Sequence, residues 1–258
     1  MKSLKNLLSL GVAAALGIAT FASTASAEAP SDVKEIKAIQ DRGVLRVGVK
    51  NDVVGFSVKD PLSGEYTGFE DTLATLIAKE IGEDVEVEFT AVTAATRSEL
   101  IDSGDLDCVL ATFTITPERK KNWDFSTPYY QDAVSVLVEN KSEIHHLKDL
   151  LGKTVGVSSG STSAKALVQA MIDNKILDGK NFNADKFDPA TWTEGVKFHQ
   201  FDNFYKTPSR GFIDEKFAPQ EYGVVTKKGS GLSAFIDGLI KKWLADGTIE
   251  KLIKENNL

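Results

Sequence analysis

The sequence predicts an α/β protein of open sheets flanked by helices, and three observations carry that expectation. Apolar strands over 44–50, 85–89 and 106–111 alternate with two stretches of helical period. After an extended apolar run over 133–139, the alternation starts afresh with a strand over 154–157. The C-terminal stretch is helical, with Leu232, Phe235, Ile236, Leu239, Ile240 and Trp243 in one wide apolar stripe. At 258 residues and 42% hydrophobic, the chain is long enough to bury such a core as one large domain or two small ones.

The first 27 residues stand apart from this pattern. Lys2 and Lys5 precede an apolar run over 7–22, and Ala25-Ser26-Ala27 supplies the small residues of a cleavage site. No later apolar run is long enough to span a bilayer, so an exported, soluble protein of the periplasm is expected. A short helix over 32–43 follows, with Val33, Ile36 and Ile39 at helical spacing and Gly43 ending it. The loop over 51–68 holds Gly55, Pro61 and Gly64 and reads as a hairpin-like excursion. Phe69, Leu73, Leu76, Ile77 and Ile81 mark one face of a helix that stops at Gly82. Thr96 is placed to cap a helix over 97–103. In open α/β sheets ligands bind beyond the carboxyl ends of the strands, which is where Lys50, residues 93–97 and residues 112–119 fall.

The second half repeats this grammar only in part. A short helix over 147–151, the strand over 154–157, the turn Ser158-Ser159-Gly160-Ser161-Thr162, a helix over 164–174 and a strand over 196–201 follow in order. A second helix and a third strand should come next, as they do in the first half. Instead Lys206-Thr207-Pro208-Ser209-Arg210-Gly211 is turn chemistry.

A net charge of −7 argues against a nucleic-acid footprint. Cys108 is alone inside an apolar strand and reads as a buried, inert thiol. His145, His146 and His199 are scattered, so neither a metal site nor a cofactor is expected. The informative stretch is Ala111-Thr112-Phe113-Thr114-Ile115-Thr116-Pro117-Glu118-Arg119. Thr116 suits a helix cap and Pro117 a first helical position. Thr112 and Thr114, two apart on extended backbone, would point the same way. Arg119 offers a flat fork of donors to a carboxylate held over those hydroxyls. The turn over 158–162 would present free amides to an anion, though it lacks the Gly-Lys-Ser/Thr ending of a phosphate-binding loop.

Together with Val47-Gly48-Val49-Lys50-Asn51-Asp52, Gly68-Phe69-Glu70, Asp124-Phe125-Ser126-Thr127-Pro128-Tyr129-Tyr130 and Phe217-Ala218-Pro219-Gln220-Glu221-Tyr222-Gly223, these segments resemble the periplasmic solute-binding proteins of amino-acid ABC transporters, the family-3 type, and especially its aspartate/glutamate binders. The resemblance implies the type II periplasmic-binding-protein fold, two α/β lobes joined by two crossing strands. Residues 28–138 plus 224–258 would form lobe 1 and 139–223 lobe 2, with 133–139 the outward crossing and 221–226 the return. It implies that Arg119 grips the α-carboxylate of an amino acid, that Thr112 and Thr114 receive the α-ammonium, and that Ser161 and Thr162 complete the carboxylate site from the other lobe. Lys50 and Arg97 add two positive charges and point to a second carboxylate, hence aspartate or glutamate. The implied partners are a free amino acid and the membrane permease of an ABC importer, with the binding protein a monomer and no enzyme.

Where the family carries a helix, a strand and an Asp that holds the ammonium, this chain has a gap on the order of thirty residues, about one helix plus one strand. The second lobe is therefore expected to be shortened, with an apolar sheet edge uncovered. Tyr205, Asp202 or Asp214 are the candidates to replace the missing Asp. Two other readings stay open: a truncated, non-binding or repurposed paralogue, and a secreted dehydratase-type enzyme using Glu70 or Glu118 as acid. Both glutamates read more simply as surface or helix-start acids.

Overall fold

A computed structural model describes residues 32–202 and 210–258; the expected leader over 1–27 and Tyr205 lie outside the described residues. The chain begins with helix α1 (Lys34–Arg42), strand β1 (Val44–Val49), and the short strands β2 (Asp52–Val53), β3 (Ser57–Lys59) and β4 (Tyr66–Thr67). These last three pair antiparallel, so the predicted excursion is a small three-stranded sheet. Helix α2 (Phe69–Ile81), strand β5 (Glu86–Ala91), helix α3 (Arg97–Ser103), strand β6 (Cys108–Leu110), helix α4 (Pro117–Asn122) and strand β7 (Trp123–Phe125) complete the first half.

Strands β8 (Tyr130–Val134) and β9 (Leu137–Glu139) follow, then a 3₁₀ turn (Leu147–Leu150), strand β10 (Thr154–Ser158), helix α5 (Ser163–Asp173) and strand β11 (Lys197–Phe201). Strands β12 (Arg210–Phe212), β13 (Phe217–Tyr222) and β14 (Val225–Lys227) lead into helices α6 (Gly231–Ala245) and α7 (Thr248–Glu255).

The main sheet has the order β5-β1-β6-β14-β7. Strand β1 runs parallel to both β5 and β6, as the strand-helix-strand pattern requires, and β14 is antiparallel to β6 and β7. Its two faces are covered separately. Ile36, Ile39, Phe69, Leu73, Ile77, Leu232, Ile236, Ile240 and Leu252 bring α1, α2, α6 and α7 onto one face, together with Leu45, Val47 and Val49 of β1. Ile101 of α3 packs with Leu106, Val109, Phe113 and Val225 on the other. A second core, Leu147, Leu150, Leu167, Val168, Met171, Val196 and Ile213, gathers around the parallel pair β10-β11 and helix α5.

The link between these bodies differs from the expectation. The crossing strands are β8 and β13, paired antiparallel from Tyr130↔Tyr222 to Val134↔Phe217. The return therefore starts at Phe217 and not at 221, while Val225–Lys227 belongs to the main sheet. Pro219 disguises this strand in the sequence, because proline cannot donate to a ladder. It is tolerated here in a two-stranded ribbon, where the register shifts between Phe217 and Pro219. The outward run over 133–139 is likewise split into the ends of β8 and β9, and β9 pairs with β12.

Candidate functional site

Four stretches meet beyond the carboxyl ends of β1, β6 and β10. Thr116, in extended backbone, accepts the amide N–H of Arg119 on Oγ1 at 3.2 Å, and Pro117 opens α4, as the residue chemistry predicts. The Arg119 guanidinium then turns back, donating from Nη1 to the Thr114 carbonyl at 2.8 Å and from Nη2 to the Gly160 carbonyl at 3.0 Å. One side chain of the first lobe thus reaches the β10–α5 turn of the second. Lys165 and Glu118 face each other over the same divide at 3.5 Å.

Gln220 makes a second bridge. Its Oε1 accepts the Thr114 hydroxyl at 2.7 Å and its Nε2 donates to the Thr162 hydroxyl at 2.8 Å. Sequence reasoning missed this residue. The available signal was a polar side chain on the inward face of an alternating strand, since Gln220 and Tyr222 are buried while Pro219 and Glu221 are exposed.

Several expected details are corrected. Thr112 is not extended: its φ is +45°, and its N–H donates to the Glu70 carboxylate at 2.7 Å, so it does not share a direction with Thr114 by strand alternation. Thr96 does not cap α3. Its backbone is already helical, and Thr93 and Thr96 instead exchange bonds, each amide donating to the other's hydroxyl at 3.0 and 3.1 Å. The turn over 158–162 offers fewer free amides than expected, because Ser159 N–H donates to the Phe201 carbonyl and Ser161 N–H to the Ser158 carbonyl. The Ser161 hydroxyl accepts weakly from the Ser163 amide at 3.4 Å. Asp214, a candidate for the missing acid, lies 3.7 Å from His146 and faces solvent.

The electrostatics of the site are set by burial. Lys50 is buried at the end of β1 with its Nζ 3.4 Å from Asp52, so its charge is partly spent. Arg97 is 3% exposed, and its Nη1 donates to the carbonyls of Ala111 and Thr112. The guanidinium carbons of Arg97 and Arg119 both stand over the Phe113 ring, 3.8 and 4.7 Å from its centroid. Among the described residues, neither guanidinium has a carboxylate within ion-pair distance. Burial pulls Arg119 down to about 10; burial and then the charge of Arg119 pull Arg97 down to about 9.

Glu70 is the counterpart of these cations. It does start α2, but it is wholly buried and not a surface acid. It accepts from the Tyr129 hydroxyl and the Thr112 amide, and burial pushes it up to about 7. Glu118, by contrast, is exposed.

Two α/β lobes joined by a pair of crossing strands, with polar side chains bridging the seam between them, define a two-lobed binding protein of the periplasmic-binding-protein fold. The family model described as bacterial extracellular solute-binding proteins, family 3, matches residues 45–256, and the chain belongs to that family. It is 34% identical over 244 residues to the ABC transporter glutamine-binding protein GlnH of Bacillus subtilis (strain 168), covering 90% of this chain and 86% of that protein. It is 30% identical over 256 residues to the L-cystine-binding protein TcyJ of Escherichia coli (strain K12), covering 94% of each. Among solved structures, the cysteine-binding protein from Campylobacter jejuni matches with a TM-score of 0.69 at 27% identity, over 86% of this chain and 92% of that one.

Proposed function

We propose that this protein captures a free amino acid between its lobes in the periplasm, after loss of a signal peptide over 1–27, and delivers it as a monomer to the permease of an ABC importer. In this reading the lobes part at the crossing strands β8 and β13, with β9 and β12 in the second lobe. The observation that carries it is the pair of guanidiniums over the Phe113 ring, Arg97 buried and Arg119 half-buried, with no carboxylate of the described residues within ion-pair distance. The two like charges repel each other, and an anion brought between the lobes relieves both. The α-carboxylate would take the Arg119 Nη2 position now held by the Gly160 carbonyl, with Ser161 and Thr162 beside it. The α-ammonium would be received by the Thr112 and Thr114 carbonyl and hydroxyl groups and by Oε1 of Gln220. The named relatives bind neutral amino acids, glutamine and cystine. The surplus of Arg97 and Lys50 over one carboxylate favours aspartate or glutamate here.

Calorimetry of the mature chain with aspartate, glutamate, glutamine, arginine and cystine tests this. Aspartate or glutamate is expected to bind tightest and to raise the melting temperature by mass action, stabilising by about 2.7 kcal/mol at a hundredfold excess over Kd. Tighter binding of glutamine, cystine or arginine would overturn the acidic preference, and no heat with any of them would overturn the binding function. The second outcome would favour a shortened paralogue that does not bind, a reading supported by the incomplete second-lobe sheet.

Gly160 supplies an independent check on closure. Its φ is +72°, and a Cβ there would lie 2.8 Å from the Ala94 carbonyl oxygen and 3.0 Å from the Ala95 Cα, across the seam. Gly160→Ala should therefore weaken ligand binding about tenfold through left-handed strain and lost lobe contact. Folding should survive, since the position is exposed and outside the core clusters. An unchanged affinity by calorimetry would show that closure does not bring these backbones together.

A further inference from the structure

Among the described residues the strands of the second lobe repeat the plan of the main sheet without a counterpart of β6. β1 and β10 carry the same core, Val47-Gly48-Val49 and Val155-Gly156-Val157, and each has one parallel neighbour, β5 or β11, reached through a helix. In the main sheet the other edge of β1 is taken by β6, and the antiparallel pair β14-β7 follows. The second lobe has the equivalent outer pairs, β11-β10 and the antiparallel β9-β12. Among the described residues no strand lies on the remaining edge of either β10 or β9.

Gly48 and Gly156 report the difference directly. A Cβ on Gly48 would meet Leu106 at 2.7 Å and Val109 at 3.1 Å, side chains delivered by the β6 segment. The nearest atoms to a Cβ on Gly156 belong to Phe201, on the β11 side, at 2.7 Å.

The place of the absent strand is a cavity of about 900 Å³, lined by Leu137 and Val138 of β9, Val155 and Val157 of β10, and Leu150 and Leu167. A five-residue strand, about 17 Å long, 4.8 Å wide and 10 Å deep with its side chains, fills about 800 Å³. Half of the backbone groups of an edge strand point away from its one neighbour, so the slot presents donors and acceptors from both sides.

Its charge is also matched to a particular kind of strand. In the main sheet Asp107, immediately before β6, pairs with Arg42 and, at 2.8 Å, with Arg46, at the amino end of the sheet. At the corresponding end of the slot stand Lys153, before β10, and Lys141, after β9. Both are exposed and make no ion pair among the described residues, although Glu139 also lines this end.

We propose that this slot is a strand-acceptor site: it takes an extended apolar segment of another polypeptide, led by an acidic residue, parallel to β10 and antiparallel to β9. Backbone bonds on both edges give the affinity, the apolar walls select the side chains, and Lys153 and Lys141 fix the direction.

A fluorescently labelled peptide of residues 105–111 with Cys108→Ser, the segment that fills the equivalent place in the main sheet, tests this against the full chain by anisotropy. Saturable one-to-one binding is expected, with amide-exchange protection of 154–158 and 137–139. Lys153→Glu, an exposed substitution that leaves the fold intact, should weaken binding about fivefold, and Asp107→Lys in the peptide should restore it to that variant. No saturable binding, equal binding of a scrambled peptide, indifference to both charge changes, or self-association of the chain in place of peptide binding would each overturn the proposal.

Discussion

Arg119→Met is expected to weaken amino-acid binding by about 10²–10³-fold, because removing one partner of a charge pair enclosed between closed lobes costs about 2–5 kcal/mol. The fold should tolerate the change. Methionine retains the apolar stem over Phe113, and the substitution removes the charge that pulls Arg97 down. What is lost are the donors to the Thr114 and Gly160 carbonyls and the contact with the ligand carboxylate. Arg119→Lys should restore little, since a single ammonium cannot serve the Thr114 carbonyl and a carboxylate in the fork geometry of arginine. Calorimetry with the preferred amino acid, beside a melting curve of the free protein, separates the two effects. An affinity within a few-fold of the parent, at an unchanged melting temperature, would remove Arg119 from the site.

The second large effect concerns pH. Below about 4.5 the Glu70 carboxyl is protonated both folded and unfolded and imposes no cost. Between about 4.5 and about 7 the unfolded chain has released this proton while the folded chain still holds it, so stability falls as pH rises. Above about 7 the full cost of a buried carboxylate remains, about 3 kcal/mol for a shift of this size. Glu70→Gln keeps an oxygen for the Tyr129 hydroxyl and the Thr112 amide and has nothing to ionise. Its stability at pH 8 should exceed that of the parent, and its slope across this window should be shallower. Asp71, also pushed up to about 7 by burial, retains its own share of the slope. Urea unfolding of both proteins at pH 5 and pH 8 decides the matter; parallel pH profiles would show that Glu70 does not titrate in this range.

Much of the fold is legible because its signals are local. The helix over Phe69–Ile81 follows from five apolar residues at helical spacing. The strand-helix-strand alternation of the first half predicts the parallel pairing of β5, β1 and β6. The comparison of the two halves by sequence alone leads to the expectation of a shortened second lobe; among the described residues β10 pairs with β11. Where a residue breaks the usual habit of its element, the local signal misleads. Pro219 hides a crossing strand, and Thr112, taken for extended backbone, bends into positive φ to place its amide on Glu70.

The site divides in the same way. Thr116, Pro117 and Arg119 lie within four positions, so the capping of α4 follows from helix-start chemistry, while the return of Arg119 to the Thr114 carbonyl emerges only in the structure. The sequence by itself determined that cap, the element order and the surplus of cations at the strand ends. The tertiary structure alone decided which cations are spent. Lys50 shares its charge with Asp52, whereas Arg97, buried, and Arg119, half-buried, stand over Phe113 with no carboxylate of the described residues within ion-pair distance. It also decided that Gln220 joins Thr114, 106 positions away, to Thr162, 58 positions away. The reason is physical: periodicity and capping act over a few residues of backbone, while burial and the partner of a polar side chain depend on which distant segments packing brings together.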